Sequence, residues 1–151
     1  MIAAGIGARM NEPGITLVRL PEEDSICRAI IRACNGRFAG TLEFYTDAEQ
    51  LREFGIRLCA FPSGPGDEAR YVIGSRDENW ALYMLLRAFL LDRAGHVALE
   101  FAVDNLEPSP WHAQANFFIP CEVAALNRLG HQLQAWLLRS DETLCWEVAK
   151  N

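Results

Sequence analysis

No run of lysine and arginine occurs anywhere in this chain, and acidic residues outnumber basic ones by 20 to 14, for a formal net charge of −6. Duplex binding depends on neutralising phosphates, so the composition predicts no nucleic-acid partner. No apolar stretch is long enough for a bilayer either. The greasiest segment, Trp80–Leu91, would be about 18 Å long as a helix, against a hydrocarbon core of about 30 Å. No membrane partner is expected.

The opening "MIAAGIGARM" lacks the basic segment and the longer apolar segment of a signal peptide. The five cysteines, Cys27, Cys34, Cys59, Cys121 and Cys145, form no CxxC and no metal-like spacing. They read as reduced, mostly buried small hydrophobes of a cytoplasmic protein. The spaced glycines of "GIGARMNEPG" and "SGPGDE" match no nucleotide-binding loop. No cofactor is expected, and no internal repeat is legible.

What is present is ordinary globular composition, half of it apolar. It suits one domain over residues 15–151 behind a flexible tail, residues 1–14. The segment "HVALEFAVD" alternates strictly, which predicts a strand. The turn "DRAG" just before it joins that strand to an antiparallel partner, so Trp80–Leu91 is read as extended despite its helix-forming residues. Pairing Leu91 with His96 sets Arg87 opposite Glu100. On the other face, Met84, Leu86, Ala88 and Leu90 then meet Val103, Phe101, Leu99 and Val97.

A second hairpin is signalled by Asn35-Gly36, the pair suited to a type I′ turn. Pairing Cys34 with Arg37 sets Arg28 opposite Glu43 and turns Cys27, Ala29, Ile31 and Ala33 inward with Phe44, Leu42, Gly40 and Phe38. Further strands are predicted at Ile15–Leu20, Ala69–Ser75 and Thr143–Val148. A helix is expected from Thr46, with Glu49 completing a capping box, to Pro62. A second should start with Pro120 in its first turn and carry Val123, Leu126, Leu129, Gly130, Leu133, Trp136 and Leu137 on one stripe. The expected fold is α+β: a mainly antiparallel sheet of hairpins with two helices packed on one face.

Candidate chemistry is sparse. His96 and Glu100 share a strand face but stand about 13 Å apart at 3.3 Å per residue, too far for one metal or proton relay. His112 and His131 are the other acid-base or metal candidates, and His131, in a helix, reads as a solvated residue. Cys59 and Cys121 are candidate nucleophiles, Cys121 the better one at an expected helix N-terminus, though a packed thiol is the simpler reading of each. Trp136 is read as core, and Trp80, Trp111 and Trp146 stand near strand starts. No catalytic residue is assigned.

The outer face of the Trp80–Asp104 hairpin carries Tyr83, Leu85, Phe89 and Leu91 around Arg87 and Glu100, an apolar patch of the kind that binds a partner or lies covered. The expected partner face is therefore Tyr83, Arg87, Phe89 and Glu100, with Arg28 and Glu43 from the other hairpin.

The run "GRFAGTLEFYTDAEQLREFGIRLCAFP", followed by "LLRAFLLDRAGHVALEFAV" and "IPCEVAALNRLGHQLQAWL", resembles small bacterial proteins of the WapI-type immunity class and related families. The resemblance spans about Gly36 to Leu137 and lies in the order of elements. It implies a cytoplasmic protein without cofactor that neutralises a toxin by protein contact. The expected function is a non-enzymatic protein-binding module, an immunity or accessory protein whose partner is a basic toxin or a second copy of itself. The alternative is a small-molecule binder or hydrolase with a pocket between the sheet and the Ser63–Glu68 loop.

Overall fold

The computed structural model describes residues 12–21, 26–77, 79–139 and 143–149. Most of the expected tail, residues 1–11, lies outside them, while Gly14 already opens the first strand. The fold is α+β with two antiparallel sheets of four strands each. The elements run β1 (Gly14–Leu20), β2 (Ile26–Cys34), β3 (Ala39–Asp47), α1 (Ala48–Cys59), β4 (Glu68–Gly74), β5 (Tyr83–Leu90), β6 (His96–Asp104), β7 (Gln114–Glu122), α2 (Val123–Leu138) and β8 (Thr143–Glu147). Sheet A has the order β3-β2-β1-β8 and sheet B the order β4-β5-β6-β7.

The extended reading of the greasy segment holds over Tyr83–Leu90. Its neighbours decide this: the alternating β6 pairs with it, and Leu91 N–H donates to His96 O at 2.8 Å. Arg87 stands opposite Glu100, and Met84, Leu86 and Ala88 oppose Val103, Phe101 and Leu99.

The first hairpin is shifted from its expected register. Asn35 N–H donates to Phe38 O at 3.0 Å, so Gly36 and Arg37 are the central residues of the turn. Among described non-glycine residues only Leu106 has positive φ, so Gly36, at φ 95°, alone is left-handed here, the pattern of a type II′ turn. Moving the turn by one residue moves the register by two. Arg28 therefore opposes Tyr45, Ala29 opposes Phe44 and Ile31 opposes Leu42. A slip of two preserves every face, which is why the inward set survives except for Phe38, now exposed at the turn.

Both helices begin later than expected. Asp47 caps α1, its carboxylate accepting from Glu49 N–H at 2.8 Å. Thr46 stays in β3, its hydroxyl meeting that of Tyr71 in the core. Pro120 and Cys121 belong to β7, and α2 starts at Val123. Alternation through "NFFIPC" outcompetes the proline signal, since Phe117, Ile119 and Cys121 all point inward.

The expected absence of a repeat is overturned. Three strands, a helix and a strand occur twice, β1-β2-β3-α1-β4 and β5-β6-β7-α2-β8, and each half's last strand is donated to the other half's sheet. β3 and β7 both have nine residues, and β7 lies 75 positions further on. The same spacing takes Leu51, Gly55 and Leu58 of α1 to Leu126, Gly130 and Leu133 of α2. Two pairs of equivalent residues touch each other, which marks the pseudo-twofold axis. A Cβ on Gly40 would lie 3.1 Å from that of Ala115, and one on Gly130 would lie 2.5 Å from Gly55 O. The inner faces of both sheets and the stripes of both helices share one core. The outer faces of the sheets are left free for function.

Candidate nucleic-acid interface

The outer face of sheet B is built around two small residues. Ala98 and Ala102, on the outward positions of β6, form a floor between β5, which presents Leu85 and Phe89, and β7, which presents Asn116, Phe118 and Pro120. Both alanines are all but buried beneath these larger neighbours, 1% and 2% exposed. Phe89 and Phe118 meet edge-on above β6, ring centroids 5.8 Å apart, and Phe118 is 44% exposed.

Arg87 reaches across from β5 to β6. Its Nε donates to Glu100 Oε1 at 2.7 Å and its Nη1 to Glu68 Oε1 at 3.0 Å, while its guanidinium lies 4.2 Å from the Phe89 ring centre. Hydrogen bonding to Glu100 first, then the charge of both carboxylates, raises its already high pKa against the cost of burial. Arg70 stands directly opposite Arg87 in the register, a like-charge pair that Glu68 bridges, with its Oε2 3.7 Å from Arg70 Nη1. One row across the sheet thus reads Arg70, Arg87, Glu100, Phe118.

At the far end of the face the side chains close over Asp104, which is 5% exposed. Its Oδ1 accepts from Leu106 N–H at 2.9 Å and meets His112 Nε2 at 2.8 Å. Burial opposes its charge, but the Leu106 amide, the His112 ring and the Arg76 guanidinium outweigh that and hold the carboxyl below its usual range. Arg76 stacks on Tyr83, 5.0 Å from the ring centre. Trp80 and Trp111, on the two loops at this end, are 53% and 69% exposed.

The two halves differ most at this end. The β2–β3 loop has four residues, Asn35–Phe38, and the β6–β7 loop has nine, Asn105–Ala113. Both open with an asparagine used in the same way. Asn35 N–H donates to Phe38 O, and its Oδ1 accepts from the Arg37 and Phe38 amides; Asn105 N–H donates to Ala113 O, and its Oδ1 accepts from the Glu107 and Ala113 amides. The extra residues bring Trp111 and His112, and they hold Leu106 at φ 52°, left-handed for a residue with a side chain.

The expected partner face is split between sheets. Tyr83, Arg87, Phe89 and Glu100 lie together on sheet B, whereas Arg28 and Glu43 lie on the outer face of sheet A, joined at 2.8 Å. Cys121 is no helix-terminal nucleophile: it is buried in β7, and burial pushes its thiol up to about 12. Cys59 sits against Gln134 Nε2 at 3.1 Å, its thiol also raised, chiefly by burial. His96 pairs with Asp92 at 2.7 Å rather than with Glu100.

A groove of about 880 Å³ does lie beside Ser63–Gly66, walled by Pro62, Pro65, Leu90, Leu91 and Val123. Its charged lining is Asp92 and Arg93, and Asp92 is occupied by His96 and the Ala94 amide, so it offers no convergent acid-base pair for a hydrolase. Among the described residues no three of His, Cys, Asp and Glu stand close enough to hold a metal, and no helix is long and apolar enough to cross a membrane.

No family model matches the chain, and no curated protein does. Two solved structures are similar in arrangement. WHY1 from Arabidopsis thaliana is 16% identical, with 83% of each chain covered and a TM-score of 0.49. The plant transcriptional regulator PBF-2 is 12% identical, with 82% of this chain and 75% of that one covered and a TM-score of 0.44. Nothing in these comparisons supports the expected immunity or accessory protein-binding module, and the expected exclusion of nucleic acid is not carried forward.

Proposed function

We propose that the protein binds single-stranded nucleic acid along the outer face of sheet B, without catalysis. At the identities and TM-scores above, the likeness to other structures carries none of this reading. The observation that carries it is the cross-strand row of Arg70, Arg87, Glu100 and Phe118, with Phe89 beside it, on the outer face of sheet B. Unpaired bases stack on aromatic rings whatever their identity, and guanidinium groups track the phosphates.

The net charge of −6 weighs against a duplex, which needs many phosphate contacts, but not against a short strand held mainly by stacking. A phosphate between Arg70 and Arg87 would take the place Glu68 now fills. The five free thiols suit a reducing, cytoplasmic setting.

The test is fluorescence anisotropy of a labelled oligothymidylate against the protein, with the matching duplex as competitor. Saturable binding that the duplex does not displace supports the reading. An oligonucleotide left free at micromolar protein in low salt overturns it. Two phosphate contacts predict a shallow salt dependence, a log–log slope of about −1.4.

A further inference from the structure

The duplication supplies an internal control. Where the two halves agree, the shared fold accounts for the structure; where one departs, that half has acquired something the fold does not require. The largest departure at a strand-strand turn is the Asn105–Ala113 loop. It starts from the same asparagine device as the four-residue Asn35–Phe38 turn and joins strands in the same register, so a short turn would serve as well.

The added residues are costly for a mere connection. Leu106 is held left-handed, and Trp111 presents an indole that is 69% exposed. They are also firmly placed. Asp104 binds the Leu106 amide and the His112 ring, and Asn105 Nδ2 donates to Trp111 O at 3.1 Å. At the position equivalent to Asp104 the first half has Cys34, which cannot make this carboxylate contact. A water-exposed indole on a loop anchored in this way, at the end of a sheet face that carries aromatic rings, can serve as a stacking platform.

We infer that the Asn105–Ala113 loop is an acquired ligand-contacting device, in which Trp111 stacks an unpaired base at the end of the outer face of sheet B and Asp104 and His112 position the loop. This rests on the reading of sheet B as a single-strand track. From Phe89 to Tyr83 that face runs about 20 Å at 3.3 Å per residue, enough for roughly three nucleotides, so the loop contacts the terminal one.

The experiment compares three proteins with the same labelled oligothymidylate: the wild type, Trp111→Ala, and a chimera in which residues 105–113 are replaced by the Asn-Gly-Arg-Phe of residues 35–38. Thermal melts and near-ultraviolet circular dichroism establish that each is folded. Both altered proteins should bind roughly tenfold more weakly, the loss of one stacked base. Quenching of tryptophan fluorescence by the oligonucleotide should also fall in both. Altered proteins that bind as the wild type does, while Phe118→Ala is weakened, overturn the role of the loop and leave the reading of the sheet B face intact. A wild type that leaves the oligonucleotide free overturns both. Should the chimera fail to fold, Trp111→Ala decides alone, because an exposed indole can be removed without disturbing the core.

Discussion

The carbonyl oxygen of Gly55 would lie 2.5 Å from a methyl group on Gly130, and Cys59 N would lie 2.8 Å from it. Helices α1 and α2 therefore cross at backbone contact on the pseudo-twofold axis. Gly130→Ala forces them apart. Overpacking costs about 1–3 kcal/mol, and the better helix propensity of alanine returns roughly 1 kcal/mol. The net loss of up to about 2 kcal/mol corresponds to a fall in melting temperature of up to about 8 °C by calorimetry. Gly55→Ala meets Gly130 O only at 3.1 Å and otherwise the Gln134 and Leu133 side chains, so its loss should be clearly smaller. Equal stability of both variants with the wild type would mean that the helices do not meet there.

Phe118 and Phe89 separate binding from folding. Phe118 is nearly half exposed on β7, and its removal takes away one partner of an edge-on ring pair worth about 0.5–1.5 kcal/mol. Phe118→Ala should leave the melt within a few degrees of the wild type yet weaken oligothymidylate binding about tenfold. Unchanged anisotropy titrations would remove the outer face of sheet B from the binding surface.

Thiol reactivity follows burial. Cys145 is exposed on β8, whereas Cys27, Cys34 and Cys121 are buried and Cys59 is only partly reachable. The Cys121 thiol, pushed up to about 12 chiefly by burial, has almost no thiolate at pH 8. Iodoacetamide on the native protein should mark Cys145 first and spare Cys121 until the chain unfolds, as peptide mass mapping will report. Early labelling of Cys121 would show that β7 opens readily.

The elements of this fold were largely legible in sequence because each carries its own local period: alternation in β6, a stripe of Leu51, Phe54 and Leu58 in α1, a turn residue at Gly36. Which residues meet across the chain was less so. The Arg87–Glu100 pair could be found because a tight turn fixed its register. The first hairpin slipped by two because Asn-Gly suits the centre of one turn and the start of another. The repeat escaped notice since the halves share packing rather than identity, although "LREFGIRL" and "LNRLGHQL" place Leu, Gly and Leu alike. The Asp104–His112 contact was out of reach, because the two stand eight positions apart across a loop that turns through a left-handed Leu106.

That contact has a pH signature. The carboxyl of Asp104 is held below the ordinary value of about 3.9, so it contributes stability that is fully present above that value and is lost as pH falls through the lower folded value. The sign follows from proton uptake: below about pH 4 the unfolded chain binds the proton more readily than the folded one. Asp104→Asn keeps the shape but removes the charge facing His112 and Arg76. The variant should be less stable than the wild type at pH 6, and the gap should narrow as pH falls below about 4, when measured by urea denaturation at each pH. Burial alone would have produced the opposite trend, a carboxyl raised above its usual range and a variant that gains on the wild type toward neutral pH. A gap that widens in acid would therefore show that desolvation, and not the Leu106, His112 and Arg76 contacts, governs Asp104 and the loop it anchors.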